Sequence, residues 1–204
     1  MIDATGLMVF YENMLALNNV SIKCSEKQIV GVFGANSAGK STLISVISSA
    51  TPKIADYPFT TLTPNLGVVQ TGWGKPFVVA DIPGLIEGAH NGAGLGIRFL
   101  RHIERTHILV HLIDTSTIDP QDPLAGYETI NAELAGYSPQ LAEKPQILVL
   151  NKMDLPDVNR AAKTIQAMLK DQEVLLISAL TREGVEQLIS KIRKRLDQFH
   201  RNEE

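Results

Sequence analysis

The sequence predicts an α/β protein of the P-loop NTPase type. It has three layers, α/β/α, around a mostly parallel sheet with one antiparallel strand pair and an N-terminal antiparallel extension. Three observations carry this. Short apolar runs alternate with longer amphipathic stretches, the pattern of buried strands covered by helices. The first buried run, Ile29–Phe33, leads straight into Gly34-Ala35-Asn36-Ser37-Ala38-Gly39-Lys40-Ser41, which fits G-x-x-x-x-G-K-[ST]. The remaining polar clusters with chemical potential also follow apolar runs, and ligands of open α/β sheets bind beyond the carboxyl ends of the strands.

The candidate buried strands are Ile29–Phe33 and residues 77–80, 108–113, 147–150 and 174–177. Each is followed by a polar loop and then by a plausible helix. Residues 66–70 and 77–80 are separated by Thr71-Gly72-Trp73-Gly74-Lys75-Pro76, a short glycine-rich turn that predicts antiparallel pairing. In the last helix, Val185, Leu188, Ile189, Ile192, Leu196 and Phe199 recur at helical spacing. Lys191, Arg193, Lys194 and Arg195 are placed mostly on its wet side. Before residue 30, Ala16, Leu17, Val20 and Ile22 alternate weakly between turn-forming residues, which predicts short antiparallel strands.

A length of 204 residues suits one domain, 1–204. A hydrophobic content of 44% with 20% charged residues is that of an ordinary globular chain. A formal net charge of -3 argues against a broad nucleic-acid footprint, so direct DNA binding is not expected. The single cysteine, Cys24, is read as a half-buried strand residue and cannot close an intrachain disulfide. That fits a reducing, cytoplasmic setting. No run of 18 apolar residues is present and the first 20 residues lack the marks of a secretion signal, so no membrane partner is expected.

In the phosphate loop, Gly34 and Gly39 permit backbone angles that a side chain would obstruct. Successive N–H groups of Ala35, Asn36, Ser37, Ala38 and the helix start at Lys40, Ser41 and Thr42 would face a polyphosphate. Lys40 would span the β- and γ-phosphates and Ser41 would ligate Mg2+. Asp81-Ile82-Pro83-Gly84 follows a buried strand about 40 residues later. Asp81 is expected to hold the same metal through water, and the Gly84 N–H to approach the γ-phosphate. Between them, Phe59, Thr60 and Thr61 are candidate nucleotide contacts, and Thr61 is chosen over Thr60 to complete the metal shell.

Asn151-Lys152-Met153-Asp154 follows the apolar run 147–150. Asp154 can accept two hydrogen bonds from the N1–H and exocyclic amine of guanine, a donor pair that adenine lacks. A site built around such donors rejects an analogue without them by roughly 10⁴–10⁵. Asn151 is expected to order the base-reading and phosphate loops, with the aliphatic stem of Lys152 covering the base plane. Ser178-Ala179-Leu180 would place the Ala179 N–H at guanine O6. The expected ligands are therefore GTP and GDP with Mg2+.

From about residue 43 to the C-terminus the chain resembles the nucleotide-binding domain of the Obg family of GTPases. The resemblance rests on Pro52-Lys53-Ile54-Ala55-Asp56-Tyr57-Pro58-Phe59-Thr60-Thr61-Leu62-Thr63 and on Ala80-Asp81-Ile82-Pro83-Gly84-Leu85-Ile86-Glu87-Gly88-Ala89, close to that family's two switches. Gly92-Ala93-Gly94-Leu95-Gly96 and Phe99-Leu100-Arg101-His102-Ile103-Glu104-Arg105 extend it. It implies a GTP-binding switch. Ribosome association is implied for the Obg-like parent, whose glycine-rich N-terminal domain is not what the first 40 or so residues resemble. Residues 1–42 are similar instead to the start of an ABC transporter ATPase. Asn36 stands where Obg proteins usually carry proline, and Tyr11 lies where ABC proteins stack an aromatic on adenine. The expectation is a chimera of segments 1–42 and 43–204, for which an engineered junction is a better account than natural descent.

Many signalling GTPases place glutamine after Asp-x-x-Gly to orient the attacking water. Here Leu85 stands there, which predicts slow hydrolysis, about 10⁻⁴–10⁻³ per second. Glu87 or His90 are the candidates to position water. Three readings follow: a slow Mg2+-dependent GTPase acting through Lys40, Thr61, Gly84 and Glu87; a chimeric scaffold with weakened nucleotide binding; and an ATPase using the ABC-like half. The last lacks the Leu-Ser-Gly-Gly-Gln-like signature and the glutamate that ABC catalysis needs.

Overall fold

A computed structural model describes residues 2–11, 14–24, 29–49, 53–54, 65–70, 72, 75–82 and 106–201, with the backbone path alone for 2–24, 53–54, 65, 137 and 200–201. Nine strands and five α-helices follow in the order β1 (Ile2–Tyr11), β2 (Met14–Cys24), β3 (Ile29–Phe33), α1 (Lys40–Ile47), β4 (Lys53–Ile54), β5 (Asn65–Val69), β6 (Phe77–Asp81), β7 (Ile108–Asp114), α2 (Ala125–Tyr137), α3 (Pro139–Ala142), β8 (Gln146–Asn151), α4 (Val158–Met168), β9 (Val174–Leu176) and α5 (Val185–Arg201), all among the described residues. A 3-10 turn, Thr115–Thr117, follows β7.

Seven strands form one sheet in the order β4-β5-β6-β3-β7-β8-β9. From β6 to β9 all neighbours are parallel, whereas β4, β5 and β6 pair antiparallel. β5 and β6 thus pair antiparallel as the sequence predicts, Leu66 with Ala80 and Val69 with Phe77. β1 and β2 form a separate antiparallel pair. At 10 and 11 residues these are long strands, not the short ones expected from the weak alternation.

The central strands read as unbroken apolar runs because helices cover both their faces. On one face Val30, Val32, Val110, Leu112, Ile147 and Val149 meet Leu43, Ile44 and Ile47 of α1 and Leu188, Ile192 and Leu196 of α5. On the other, Phe33, Ile82 and Leu109 meet Ile130 and Leu134 of α2 and Leu141 of α3. Leu150 meets Ala162 and Ile165 of α4. Fully burying a side chain of this size contributes about 1.5–3 kcal/mol. The layers therefore hold the carboxyl ends of β3, β6, β7 and β8 in fixed register.

One expectation for α5 is corrected. Arg193 is not on the wet side: it is 2% exposed, donates from Nη1 to the Lys75 carbonyl at 2.8 Å, and its guanidinium lies 5.6 Å from the centre of the Phe77 ring. A planar, weakly hydrated cation can be buried when a carbonyl and an aromatic face receive it. The others match the expectation better. Lys194 is exposed, Lys191 is part-exposed and pairs with Glu173, and Arg195 reaches the Gln146 carbonyl at 3.1 Å.

Candidate nucleotide site

The phosphate loop turns between β3 and α1 with its two glycines in backbone conformations that other residues rarely adopt. Gly34 has φ 147° and Gly39 has φ 90°. A Cβ on Gly34 would stand 2.0 Å from the Leu112 backbone oxygen; one on Gly39 would stand 2.6 Å from Asn151 Nδ2. Both glycines are therefore demanded by neighbours as well as by dihedral angle. The Ala38 N–H donates to the Ala35 carbonyl at 3.0 Å, closing the loop before α1 begins.

Lys40, buried at the first position of α1, folds back over the loop. Its Nζ donates to the Gly34 carbonyl at 2.8 Å and to the Ala35 carbonyl at 3.1 Å. Burial lowers its pKa from the usual lysine value, and the Asp81 carboxylate pulls the other way without cancelling the effect. Asp81 ends β6, in register with Val32 of β3, and is itself buried. The structure thus brings the loop lysine and the β6 aspartate together, as the motif spacing predicts. Asn36, Ser37, Ser41 and Thr42 lie on the exposed side of the loop. Phe59, Thr60, Thr61, Gly84, Glu87 and His90 lie outside the described residues.

The second half of the site is assembled around Asn151, the last residue of β8. Its Nδ2 donates to the Ala38 carbonyl at 2.8 Å, and its Oδ1 accepts from the Ala179 N–H at 2.9 Å. One buried amide therefore joins the phosphate loop, the segment after β8 and the segment after β9, the ordering role expected of it. The N–H of Ala179, expected to face guanine O6, donates here to Asn151 Oδ1, since a buried amide oxygen needs a donor. Asp154 is exposed, but Ser178 Oγ donates to its Oδ1 at 2.6 Å, and the Thr181 N–H in turn donates to Ser178 Oγ at 3.0 Å. Ser178 thus aims the carboxylate. Leu180 is 76% exposed.

Three residues that sequence reasoning did not assign to the site complete it. Asp114, at the end of β7 and 2% exposed, forms an ion pair with Lys152 at 2.6 Å. Its other oxygen accepts from the Ser116 N–H at 3.0 Å and from Ser116 Oγ at 2.6 Å. Burial alone would push the Asp114 carboxyl up; the hydrogen bonds from Lys152 and Ser116, with the lysine charge, outweigh it and hold the pKa below the usual aspartate value. Thr115 Oγ1 donates to the Asn151 carbonyl at 2.7 Å. The available signal was position: Asp114-Thr115-Ser116 is a polar cluster at the carboxyl end of a buried strand.

Residues 29–152 match a family model described as "50S ribosome-binding GTPase". The chain is 62% identical over 159 residues to a GTPase Obg of Desulfosudis oleivorans, covering 78% of this chain and 48% of that protein. It is 56% identical over 169 residues to a GTPase Obg of Roseiflexus castenholzii, covering 82% of this chain and 38% of that one. It thus spans less than half the length of either. A structure of Era with MgGDPNP and nucleotides 1506–1542 of 16S ribosomal RNA superposes with a TM-score of 0.61 at 24% identity, covering 82% of this chain and 56% of that one, a likeness of fold. None of these comparisons supports an ABC-transporter-like segment or a chimera. The family match starts at Ile29 and takes in the whole phosphate loop, on the near side of the junction expected at residue 42.

Proposed function

Because the chain belongs to the family of 50S ribosome-binding GTPases, we propose that it is an Obg-type nucleotide-binding domain that takes up GTP and GDP with Mg2+ and hydrolyses GTP slowly. One observation carries the reading: the Asn151 amide holds Ala38 of the phosphate loop and Ala179 of the base-reading segment in a single hydrogen-bonded unit. A polyphosphate cradle and a guanine-selecting carboxylate are useful to one ligand only when their separation is fixed. Asp154, held by Ser178, supplies the selection; Lys152 supplies a stem against the base plane.

The residues present fit a magnesium ion. Asp81 and Ser41 are hard oxygen donors beside a buried lysine, and Thr61 would complete the set. Bound there, the metal would neutralise charge on the β- and γ-phosphates. The chain's own groups would bind and orient the nucleotide: loop N–H groups and the Lys40 ammonium on the phosphates, Gly84 near the γ-phosphate, Glu87 toward water. For Lys40 this means exchanging the Gly34 and Ala35 carbonyls for phosphate oxygens, which are stronger acceptors for an ammonium. Leu85 offers no hydrogen bond to water, so turnover is expected near the unassisted scale of about 10⁻⁴–10⁻³ per second.

A ribosomal partner and a cytoplasmic setting are part of the proposal through the family description and the Obg relatives; among the described residues no helix is long and apolar enough to cross a membrane. We take 1–204 as one domain. No specific observation favours an adenine-nucleotide reading or a scaffold that has lost its ligand. The test is to measure GDP, GTP, ADP and ATP affinities on one preparation with Mg2+. Guanine preference supports the proposal; adenine preference or no binding overturns it.

A further inference from the structure

The segment that closes β7 grips the segment that closes β8. Asp114 and Asn151 are register partners in adjacent parallel strands, so their following residues leave the sheet side by side. Lys152 then takes a left-handed backbone, φ 67°, which re-aims its side chain toward β7. Its ammonium meets Asp114 Oδ2 at 2.6 Å, and its side chain is 32% exposed. Asp114 is itself immobilised: it is 2% exposed and its second oxygen is saturated by the Ser116 N–H and hydroxyl. Thr115 fixes the Asn151 carbonyl next to it.

We infer that Asp114 is a positioning residue for guanine binding, holding the Lys152 ammonium so that the lysine stem stays in place as a wall for the purine ring. This rests on the guanine-nucleotide reading above. A lysine side chain carries about 2 kcal/mol of rotamer freedom. Anchoring its charged end to a buried, pre-oriented carboxylate removes that freedom before the base arrives. Ser116 serves the same end at one remove, by fixing the carboxylate.

The test compares wild type with Asp114→Asn, Lys152→Met and the double variant, using GDP, ADP and inorganic pyrophosphate as probes. Asn keeps the shape but presents no charge to Lys152. Wild type is expected to prefer GDP to ADP; if it does not, the guanine reading fails before Asp114 is tested. If it does, Asp114→Asn is expected to raise the GDP dissociation rate roughly tenfold, a difference of about 1.4 kcal/mol, with pyrophosphate affinity unchanged. In the Lys152→Met background the same substitution is expected to add no further loss, because the residue through which it acts is gone. An unchanged GDP dissociation rate, an equal loss of pyrophosphate binding, or a full additional loss in the double variant overturns the inference. Should Asp114→Asn not fold, Ser116→Ala, an exposed position, carries the test: GDP release rises about twofold to threefold in wild type and not in Lys152→Met. No change, or a change in both backgrounds, overturns it equally.

Discussion

Asn151 Nδ2 lies 2.8 Å from the carbonyl oxygen of Ala38, a residue 113 positions earlier in the chain. With its Oδ1 on the Ala179 N–H, the amide leaves two buried backbone groups dependent on it. Each unsatisfied buried polar group costs about 1–3 kcal/mol. Asn151→Ala is therefore expected to destabilise the fold by about 2–4 kcal/mol, a fall in melting temperature of roughly 5–15 °C for a chain of this size. It should also abolish measurable GDP binding at micromolar protein. Calorimetric melting and fluorescent-nucleotide titration check both, and an unchanged melt would remove the amide from its linking role.

Gly39 is the position where that amide approaches closest. Gly39→Ala forces a methyl to within 2.6 Å of Asn151 Nδ2 and strains a φ of 90°. The expected cost is about 1–3 kcal/mol from the backbone alone, with loss of nucleotide binding because the cradle and Asn151 cannot both keep their places. Retention of wild-type GDP affinity would contradict this.

Ser178 aims Asp154, so the two should fail differently. Asp154→Asn is expected to weaken guanine and improve xanthine nucleotide binding, since the amide turns one accepting oxygen into a donating NH2, which suits the carbonyl xanthine carries in place of the exocyclic amine. Ser178→Ala leaves the carboxylate but frees it, and is expected to weaken both GDP and GTP roughly tenfold, about 1.4 kcal/mol, without changing base preference. Competition titrations with GDP and XDP separate the outcomes; equal GDP affinity in both variants would count against the assignment of Asp154.

His111 gives the fold a dependence on acid. It is fully buried between Phe33, with ring centres 4.4 Å apart, and Tyr127, at 5.3 Å, and burial lowers its pKa to about 3. Well above pH 6.5 it is neutral in folded and unfolded chains alike and has no effect. Below that, the unfolded chain takes up the proton first, so stability falls as the pH drops towards 3. At pH 5 the loss is about 2 kcal/mol, from about 1.4 kcal/mol per pH unit. Urea melts at pH 5 and 7 should show this drop, and His111→Leu should flatten it; an identical drop in the variant would place the effect elsewhere.

Much of the architecture was legible because its determinants are local. The strands that became β3, β6, β7, β8 and β9 are apolar runs whose ends the sequence placed within a residue or two. The antiparallel partners β5 and β6 were readable from a glycine-rich turn, and Asn151, Lys40 and Asp81 from motif spacing. What escaped depends on contacts between distant segments. Arg193 looked like one of four basic residues on a wet face; only the Lys75 carbonyl and the Phe77 ring, more than 110 positions away, explain why it is buried. Asp114 carried no recognisable motif, because its meaning comes from being the register partner of Asn151. That the Ala179 N–H also serves the Asn151 oxygen could not be read from the sequence, because the two meet only in the fold.

The seven-stranded sheet ends, among the described residues, in its shortest members: β4 with two residues on one margin and β9 with three on the other. A stranger's backbone can hydrogen-bond only to as many amides as a border offers. Each of these two terminal strands therefore offers few amides to a neighbouring copy, and pairing through β4 or β9 is a poor start for a fibril.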